Sequence, residues 1–302
     1  MIIAITGATG FVGQAVLDEA ARQGLAVRAL TRREQQPRDG VTWVRGDLAD
    51  HAALSDLING TGAVLHIAGV VNAPSRADFL TGNVDGTGAV VQAARMADVT
   101  RFVCVSSLAA REPGLSDYGH SKRMAEELVQ TSRRDWTIIR PPAIYGPRDT
   151  DMFELFRLAR RGIVPLPPRG RASAIHVEDL ARLLIAACQS NPELSQRIFE
   201  PDDGHPFGWS HEELARAIGW AVGQDIWPIH LPEPVLSAAA RIARAVQGGK
   251  AKLTPDRARY MAHPDWVSDI AKAVPVSLWT PDICLKEGLA ATAAWYKAEG
   301  WL

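Results

Sequence analysis

The chain has 302 residues, 47% of them hydrophobic and 22% charged, which is the balance of a folded globular protein and excludes a disordered one. A formal net charge of −1 leaves no overall electrostatic footprint for nucleic acid or for an anionic membrane. Cys104, Cys188 and Cys284 are far apart and odd in number, which excludes a disulfide framework and the usual zinc-ligand spacing, so no metal site is expected.

No leader-like segment and no apolar run of the roughly 18 residues needed to span a bilayer stands out. The expected protein is therefore cytoplasmic, with a small-molecule substrate and no nucleic-acid or membrane partner. A homodimer is left open.

The first element is the apolar run Ile2 to Thr6, read as a buried parallel strand. Gly7, Gly10 and Gly13 follow at three-residue spacing, and an amphipathic stretch from Phe11 to Arg22 closes at Gly24, a helix C-terminal signal. A glycine-rich turn between strand and helix predicts a phosphate cradle, with a tight turn at Gly7, close approach of a pyrophosphate at Gly10 and close helix packing at Gly13. Further strands are predicted at Ala26 to Leu30, Val41 to Val44, Ala63 to Ile67, Arg101 to Ser106 and Thr137 to Arg140. Helices are predicted near Ala52 to Ile58, Arg76 to Ala97 and Tyr118 to Ser132. This alternation predicts an α/β fold, a Rossmann-type doubly wound parallel sheet whose ligands gather at the carboxyl ends of the strands.

Near Arg140-Pro141-Pro142 the alternation stops. The expected organisation is a nucleotide-binding domain over 1–145 and a smaller, mostly helical substrate-binding lobe over 146–302; that 172–190 return to the first domain, interleaving the two, is what the resemblance of Ile175-His176-Val177-Glu178-Asp179-Leu180-Ala181 to a segment of extended short-chain dehydrogenases/reductases implies. Seven of the nine tryptophans lie there, and core packing is their expected role. Ser210 with Glu213 reads as a capping box, and Thr254-Pro255 as a second helix start.

Tyr118 and Lys122 stand four apart at the start of a predicted helix, hence on one face. A phenol is a weak acid, and a neighbouring ammonium favours its ionised form, so the pair suits proton transfer to or from a substrate oxygen. At the end of the second strand, Thr31-Arg32-Arg33 stands where an acid would grip the ribose hydroxyls of NAD. Arginine there suits a 2′-phosphate and favours NADP(H) over NAD(H), the alternative being that both are solvated loop residues.

The segment Thr6-Gly7-Ala8-Thr9-Gly10-Phe11-Val12-Gly13 with Tyr118-Gly119-His120-Ser121-Lys122 resembles the extended branch of the short-chain dehydrogenase/reductase superfamily, the epimerase/dehydratase-like proteins. The resemblance implies Ser107, Tyr118 and Lys122 as the catalytic set, Ser107 polarising the substrate oxygen while Ser106 supports the strand end. It implies a cofactor site of Gly7, Thr9, Gly10, Phe11, Val12, Gly13, Arg32, Arg33, Asp47, Leu48, Ala68, Gly69, Tyr118, Lys122 and Pro141. Asp47 is either an adenine contact or a helix cap. Asn83 either orients the site or braces a helix, His66 faces the sheet packing, and His120 is exposed and noncatalytic. His176 in Ile175-His176-Val177 is positional.

The segment Ala143-Ile144 lacks the polar group that nucleotide-sugar members carry before Tyr145-Gly146-Pro147, and the ending Glu287-Gly288-Leu289 with Trp295-Tyr296 resembles hydroxysteroid- and dihydroflavonol-type reductases. The function read from the sequence is an NAD(P)-dependent oxidoreductase moving hydride between the nicotinamide and a secondary alcohol or ketone of a small, fairly apolar molecule. The alternatives are a nucleotide-sugar epimerase or dehydratase, and a nonenzymatic NADP(H)-binding sensor or scaffold.

Overall fold

Short strands rich in Ile, Val and Ala bury both faces only when helices cover both sides of their sheet. That is the arrangement in the computed structural model, which describes residues 1–247 and 253–302. The chain forms two compact units: Met1–Arg140 with Leu180–Phe199 and Val274–Trp279, and Pro141–Asp179 with Glu200–Ala273 and Thr280–Leu302.

In the first unit the order is β1 (Ile2–Thr6), α1 (Phe11–Arg22), β2 (Ala26–Thr31), β3 (Val41–Arg45), α2 (His51–Ile58), β4 (Ala63–His66), α3 (Arg76–Phe79), α4 (Gly86–Met96), β5 (Arg101–Val105), α5 (Asp117–Gln130) and β6 (Asp135–Ile139). The sheet runs Arg197–Phe199, β6, β5, β4, β1, β2, β3, with every pair parallel. Strand order reverses beside β1, so the carboxyl ends of β1 and β4 flank the crevice where a doubly wound sheet binds its ligand. Ala4, Leu54, Leu57, Val64, Val90, Phe102 and Ile138 form the core between the sheet and α2, α4 and α5.

Two departures from the sequence reading bear on the site. The predicted helix from Arg76 to Ala97 is interrupted by a π-helical segment, Leu80–Asp85, which opens the turn and sends the Asn83 side chain inward. A seventh strand, Arg197–Phe199, extends the sheet beyond β6; at three residues it is too short for alternation to reveal.

The second unit has its own core, built on Tyr145, Phe156, Val164, Leu166, Ile218, Leu285, Leu289 and Tyr296. Its strands are short: Ala143–Tyr145 pairs with Ala174–His176, and Ile163–Leu166 with Trp227–His230, both parallel. Helix His211–Val222 opens with the Ser210–Glu213 capping box, and Thr254 caps helix Pro255–Ala262 through the Arg257 amide. The tryptophans follow core packing only in part. Trp266 and Trp279 are buried, with Trp279 in the first unit, whereas Trp220 and Trp227 are exposed.

Candidate active site

Three glycines shape the turn from β1 to α1 for different reasons. A Cβ on Gly7, whose φ is +77°, would lie 2.6 Å from the Ala68 amide nitrogen, and one on Gly13 would run into the Gly7 carbonyl. The protein's own packing therefore fixes both as glycine. Gly10 is different: its nearest neighbour would be the Gly7 oxygen at 3.4 Å, a tolerable approach. Its bareness fits a group that must reach the backbone there, as a pyrophosphate does at a helix N-terminus. Gly10 is also the N-cap of α1, with no side-chain cap and no acid in the first turn to compete for an anion. Thr9 beside it is exposed, and Phe11 and Val12 are half-buried.

At the end of β2, the Thr31 hydroxyl donates to the Arg33 carbonyl at 2.7 Å and so shapes the turn carrying the two arginines. Arg32 and Arg33 are exposed, and among the described residues neither guanidinium has an ion-pair partner. After β3, Asp47 accepts from the Ala49 amide at 2.9 Å, while the cap of α2 is Asp50, which accepts from Ala53. The capping alternative for Asp47 is thereby overturned: it stands three residues before the helix's actual N-cap. Leu48 is half-buried and lies against Gly86.

Tyr118 and Lys122 sit at the opening turns of α5, which starts where Ser116 accepts from the Gly119 amide. Gly119 lets the helix close on the turn that follows Ser107, since a Cβ there would lie 2.6 Å from the Ala109 oxygen. Lys122 is buried, and its Nζ donates to the carbonyl of Val105, the last residue of β5, at 2.8 Å. Tyr118 is half-buried, with its ring 6.1 Å from that of Phe79. Ser107 Oγ accepts from the Ala109 amide at 3.2 Å, capping the 3-10 turn Leu108–Arg111 and leaving its proton to donate elsewhere. Ser106 Oγ is buried without a hydrogen-bond partner among the described residues.

Asn83 ties this corner together. Its Oδ1 accepts from the Val70 amide at 2.6 Å, and its Nδ2 donates to the Val70 carbonyl and to Ser121 Oγ, both at 2.9 Å. Ser121 then donates to the Tyr118 carbonyl at 2.8 Å. The two readings of Asn83 merge, because the brace it makes is to the helix that carries Tyr118 and Lys122. Ser121 carries no motif signal of its own in the sequence beyond its place three residues after the tyrosine, from which a serine can bond back to the tyrosine carbonyl. Gly69 belongs here too: a Cβ on it would lie 3.1 Å from Asn83 Oδ1 and 3.5 Å from Lys122 Nζ.

His66 is buried between β1 and α4, with Nδ1 hydrogen-bonded to Thr6 Oγ1 at 2.7 Å and Nε2 to Thr87 Oγ1 at 2.9 Å. Burial, reinforced by the charge of Lys122, pulls it down to about 3, so it is a neutral structural imidazole. His120 is half-buried rather than exposed, because the opening turn of α5 is itself half-covered. His176 in the second unit is buried, which lowers its pKa, and sits edge-on to Tyr145. Pro141 is buried and is the first residue of the second unit.

The NAD(P)H-binding family profile matches residues 7–191, from the first glycine of the cradle past the tyrosine and lysine. The chain belongs to this family, within the extended short-chain dehydrogenase/reductase superfamily. It is 38% identical over 315 aligned positions to a ceramide reductase of Caulobacter vibrioides, covering all of this chain and 96% of that protein. It is 26% identical to a 4-hydroxy-2-methyl-3-oxo-4-farnesyl-3,4-dihydroquinoline-1-oxide ketoreductase of Stigmatella aurantiaca, over 84% of this chain and 89% of that one. Its fold matches that of MoeE5 in complex with UDP-glucose and NAD, with a TM-score of 0.76, 23% identity and 99% of each chain covered. The protein is thus of the NAD(P)-dependent reductase and epimerase type, with a nicotinamide cofactor. Among the described residues no helix is long and apolar enough to cross a membrane, and no cluster of three His, Cys, Asp or Glu residues is placed to hold a metal.

Proposed function

We propose that this protein is an NADP(H)-preferring oxidoreductase acting on a ketone or secondary alcohol in a lipid-like, ceramide-class molecule. The observation that carries the reading is the corner formed at the end of β5, where Lys122 is held on the Val105 carbonyl one helical turn from Tyr118. The bare backbone at Gly10 and the unpaired Arg32 and Arg33 fit a dinucleotide with a 2′-phosphate. When bound, the nicotinamide supplies the hydride.

In the reducing direction, Tyr118 donates its proton to the substrate oxygen as the carbonyl carbon gains the hydride, giving the secondary alcohol. Ser107 polarises that oxygen with its remaining proton, and Lys122 would hold the nicotinamide ribose. Substrate recognition falls to the second unit. The 38% identity to a ceramide reductase over the whole chain supports a lipid substrate, and Ala143 and Ile144 in place of a polar group argue against a nucleotide sugar.

The test follows NADPH and NADH consumption with a ketone-bearing ceramide analogue, simple ketones and UDP-hexoses, with products identified by mass spectrometry. We expect NADPH-dependent gain of two hydrogens by the lipid ketone. Interconversion of UDP-hexoses without net cofactor consumption would establish an epimerase instead.

A further inference from the structure

The strand β3 closes the sheet at an edge, and its last residue, Arg45, is exposed. In the parallel register of β2 and β3 its direct neighbour is Thr31, the residue from which Arg32 and Arg33 follow. Two hydrogen bonds fix this corner. The Gly46 amide donates to the Thr31 carbonyl at 2.9 Å, and the Thr31 hydroxyl donates to the Arg33 carbonyl at 2.7 Å. A Cβ on Gly46 would run into the Ala53 side chain, so packing also dictates how the chain turns after Arg45. Leu30 and Val44, one residue earlier on each strand, belong to the core beneath α2 and α4, so Thr31 and Arg45 stand on the opposite face of the sheet. That is the side on which α1 packs against β2, and α1 begins at Gly10.

Three arginines are thus rooted at the ends of two adjacent strands, which run about 4.8 Å apart, and like charges on neighbouring strands repel. Acids stand at the same edge but leave them unneutralised. Glu34 and Asp47 form no ion pair with Arg32, Arg33 or Arg45 among the described residues, Asp47 accepts from the Ala49 amide, and Asp50 is committed to the cap of α2. Such a group suits a dianion. A phosphate monoester carries about two negative charges and three terminal oxygens, and a planar guanidinium pairs with two of those oxygens at once, so a second and third arginine still find an acceptor.

We propose, resting on the NADP(H) preference already proposed, that Arg45 is a third arginine of the 2′-phosphate site, reaching it from β3 while Arg32 and Arg33 reach it from the turn after β2. Arg45 then helps to set the choice of NADP(H) over NAD(H). A charge on an edge strand also keeps that edge from pairing with another chain, and the test separates the two roles.

Full-length protein is titrated calorimetrically with NADPH, NADH, adenosine 2′,5′-bisphosphate and adenosine 5′-monophosphate, as the parent, as Arg45→Ser, as Arg45→Lys, and as Arg32→Ser with Arg33→Ser. We expect Arg45→Ser to weaken NADPH and the bisphosphate by about tenfold or more, with NADH and the monophosphate bound as in the parent. Arg45→Lys should recover part of that loss, because lysine keeps the charge without the paired geometry. Thermal melting reports that each variant remains folded. If Arg45→Ser binds NADPH as the parent does while the Arg32 and Arg33 variant loses it, the proposal falls, the NADP(H) preference stands, and Arg45 is an edge charge only. Equal losses for NADPH and NADH overturn it as well, since they place Arg45 against a part that both cofactors share. A parent that binds NADPH no tighter than NADH removes the NADP(H) preference itself, and the proposal with it.

Discussion

Asn83 Nδ2 donates to Ser121 Oγ at 2.9 Å, and the same hydroxyl donates to the Tyr118 carbonyl at 2.8 Å, so a π-helical segment in one part of the chain sets the opening turn of α5 in another. Ser121 touches no reacting atom on this reading and acts by positioning. Ser121→Ala leaves one N–H of Asn83 buried without an acceptor, at a cost of about 1–3 kcal/mol in stability. It also frees the turn carrying Tyr118, and kcat should fall by about tenfold through misplacement of the tyrosine, with NADPH affinity unchanged. Steady-state kinetics beside thermal melting make the check. A lower melting temperature with full kcat would reduce the network to scaffolding.

Tyr118→Phe removes the proton donor while keeping the ring against Phe79. Turnover should fall by about 10²–10⁴-fold, with fluorescence titration showing NADPH binding as in the parent. Ser107→Ala should cost less in rate, but it also removes the cap that accepts from Ala109, so it should lower the melting temperature as well. Undiminished turnover in Tyr118→Phe would falsify its assignment as the proton donor.

Arg32 and Arg33 are exposed guanidinium groups just past β2, with no acid paired to them among the described residues. A charge-assisted hydrogen bond to a 2′-phosphate contributes about 1.5–3 kcal/mol, so Arg32→Ser with Arg33→Ser should weaken NADPH binding at least about tenfold. NADH, which has no phosphate there, should bind as before. Equal losses for both cofactors in calorimetric titrations would show the arginines to be solvated loop residues or structural supports.

The sheet and cradle were legible in the sequence because they depend on local patterns: β-branched runs, a glycine turn and a tyrosine and lysine one helical turn apart. What stayed hidden depends on distant pairings. Nothing in the pattern around Leu80–Asp85 announces a widened turn, because its cause is the Asn83 amide reaching Val70, thirteen residues back, and Ser121, thirty-eight ahead. The strand Arg197–Phe199 exists only because β6 offers it an open edge. Large aromatics bury more often than not, which predicts a core role for Trp220 and Trp227, yet the second unit fills its core with Tyr145, Phe156 and Tyr296.

The far end of α5 is fixed by a buried ion pair. Arg140 Nε and Nη2 donate to the two oxygens of Glu126 at 2.8 and 2.6 Å, with both side chains almost wholly buried. Tyr118, Lys122 and Glu126 are successive i+4 positions of α5, so the face that carries Tyr118 and Lys122 also carries the helix's anchor to the end of β6. Glu126→Ala takes both of these hydrogen bonds from a buried guanidinium and should lower unfolding free energy by about 3–5 kcal/mol in urea titrations. Glu126→Leu with Arg140→Met, which removes both charges, should recover much of that loss. If the double variant is no better than Glu126→Ala, the pair contributes more than the desolvation of its charges.

Acid should destabilise the nucleotide-binding unit through His66. Its folded pKa lies near 3, against about 6.5 when unfolded, so between those values the unfolded chain takes up a proton that the folded one refuses. The stabilisation from the neutral ring is complete above pH 6.5 and is lost as the pH falls, with a slope of up to about 1.4 kcal/mol per pH unit. His176 and His211, also lowered by burial, lie in the second unit and give it an acid sensitivity of the same sign. Urea midpoints measured between pH 4.5 and 7.5 should therefore fall with acid in the parent and fall less steeply in His66→Gln. Burial is the larger cause and Lys122 the smaller, so Lys122→Met should leave most of the slope in place. A slope that vanishes in Lys122→Met but persists in His66→Gln would transfer the acid sensitivity from the imidazole to the lysine's surroundings.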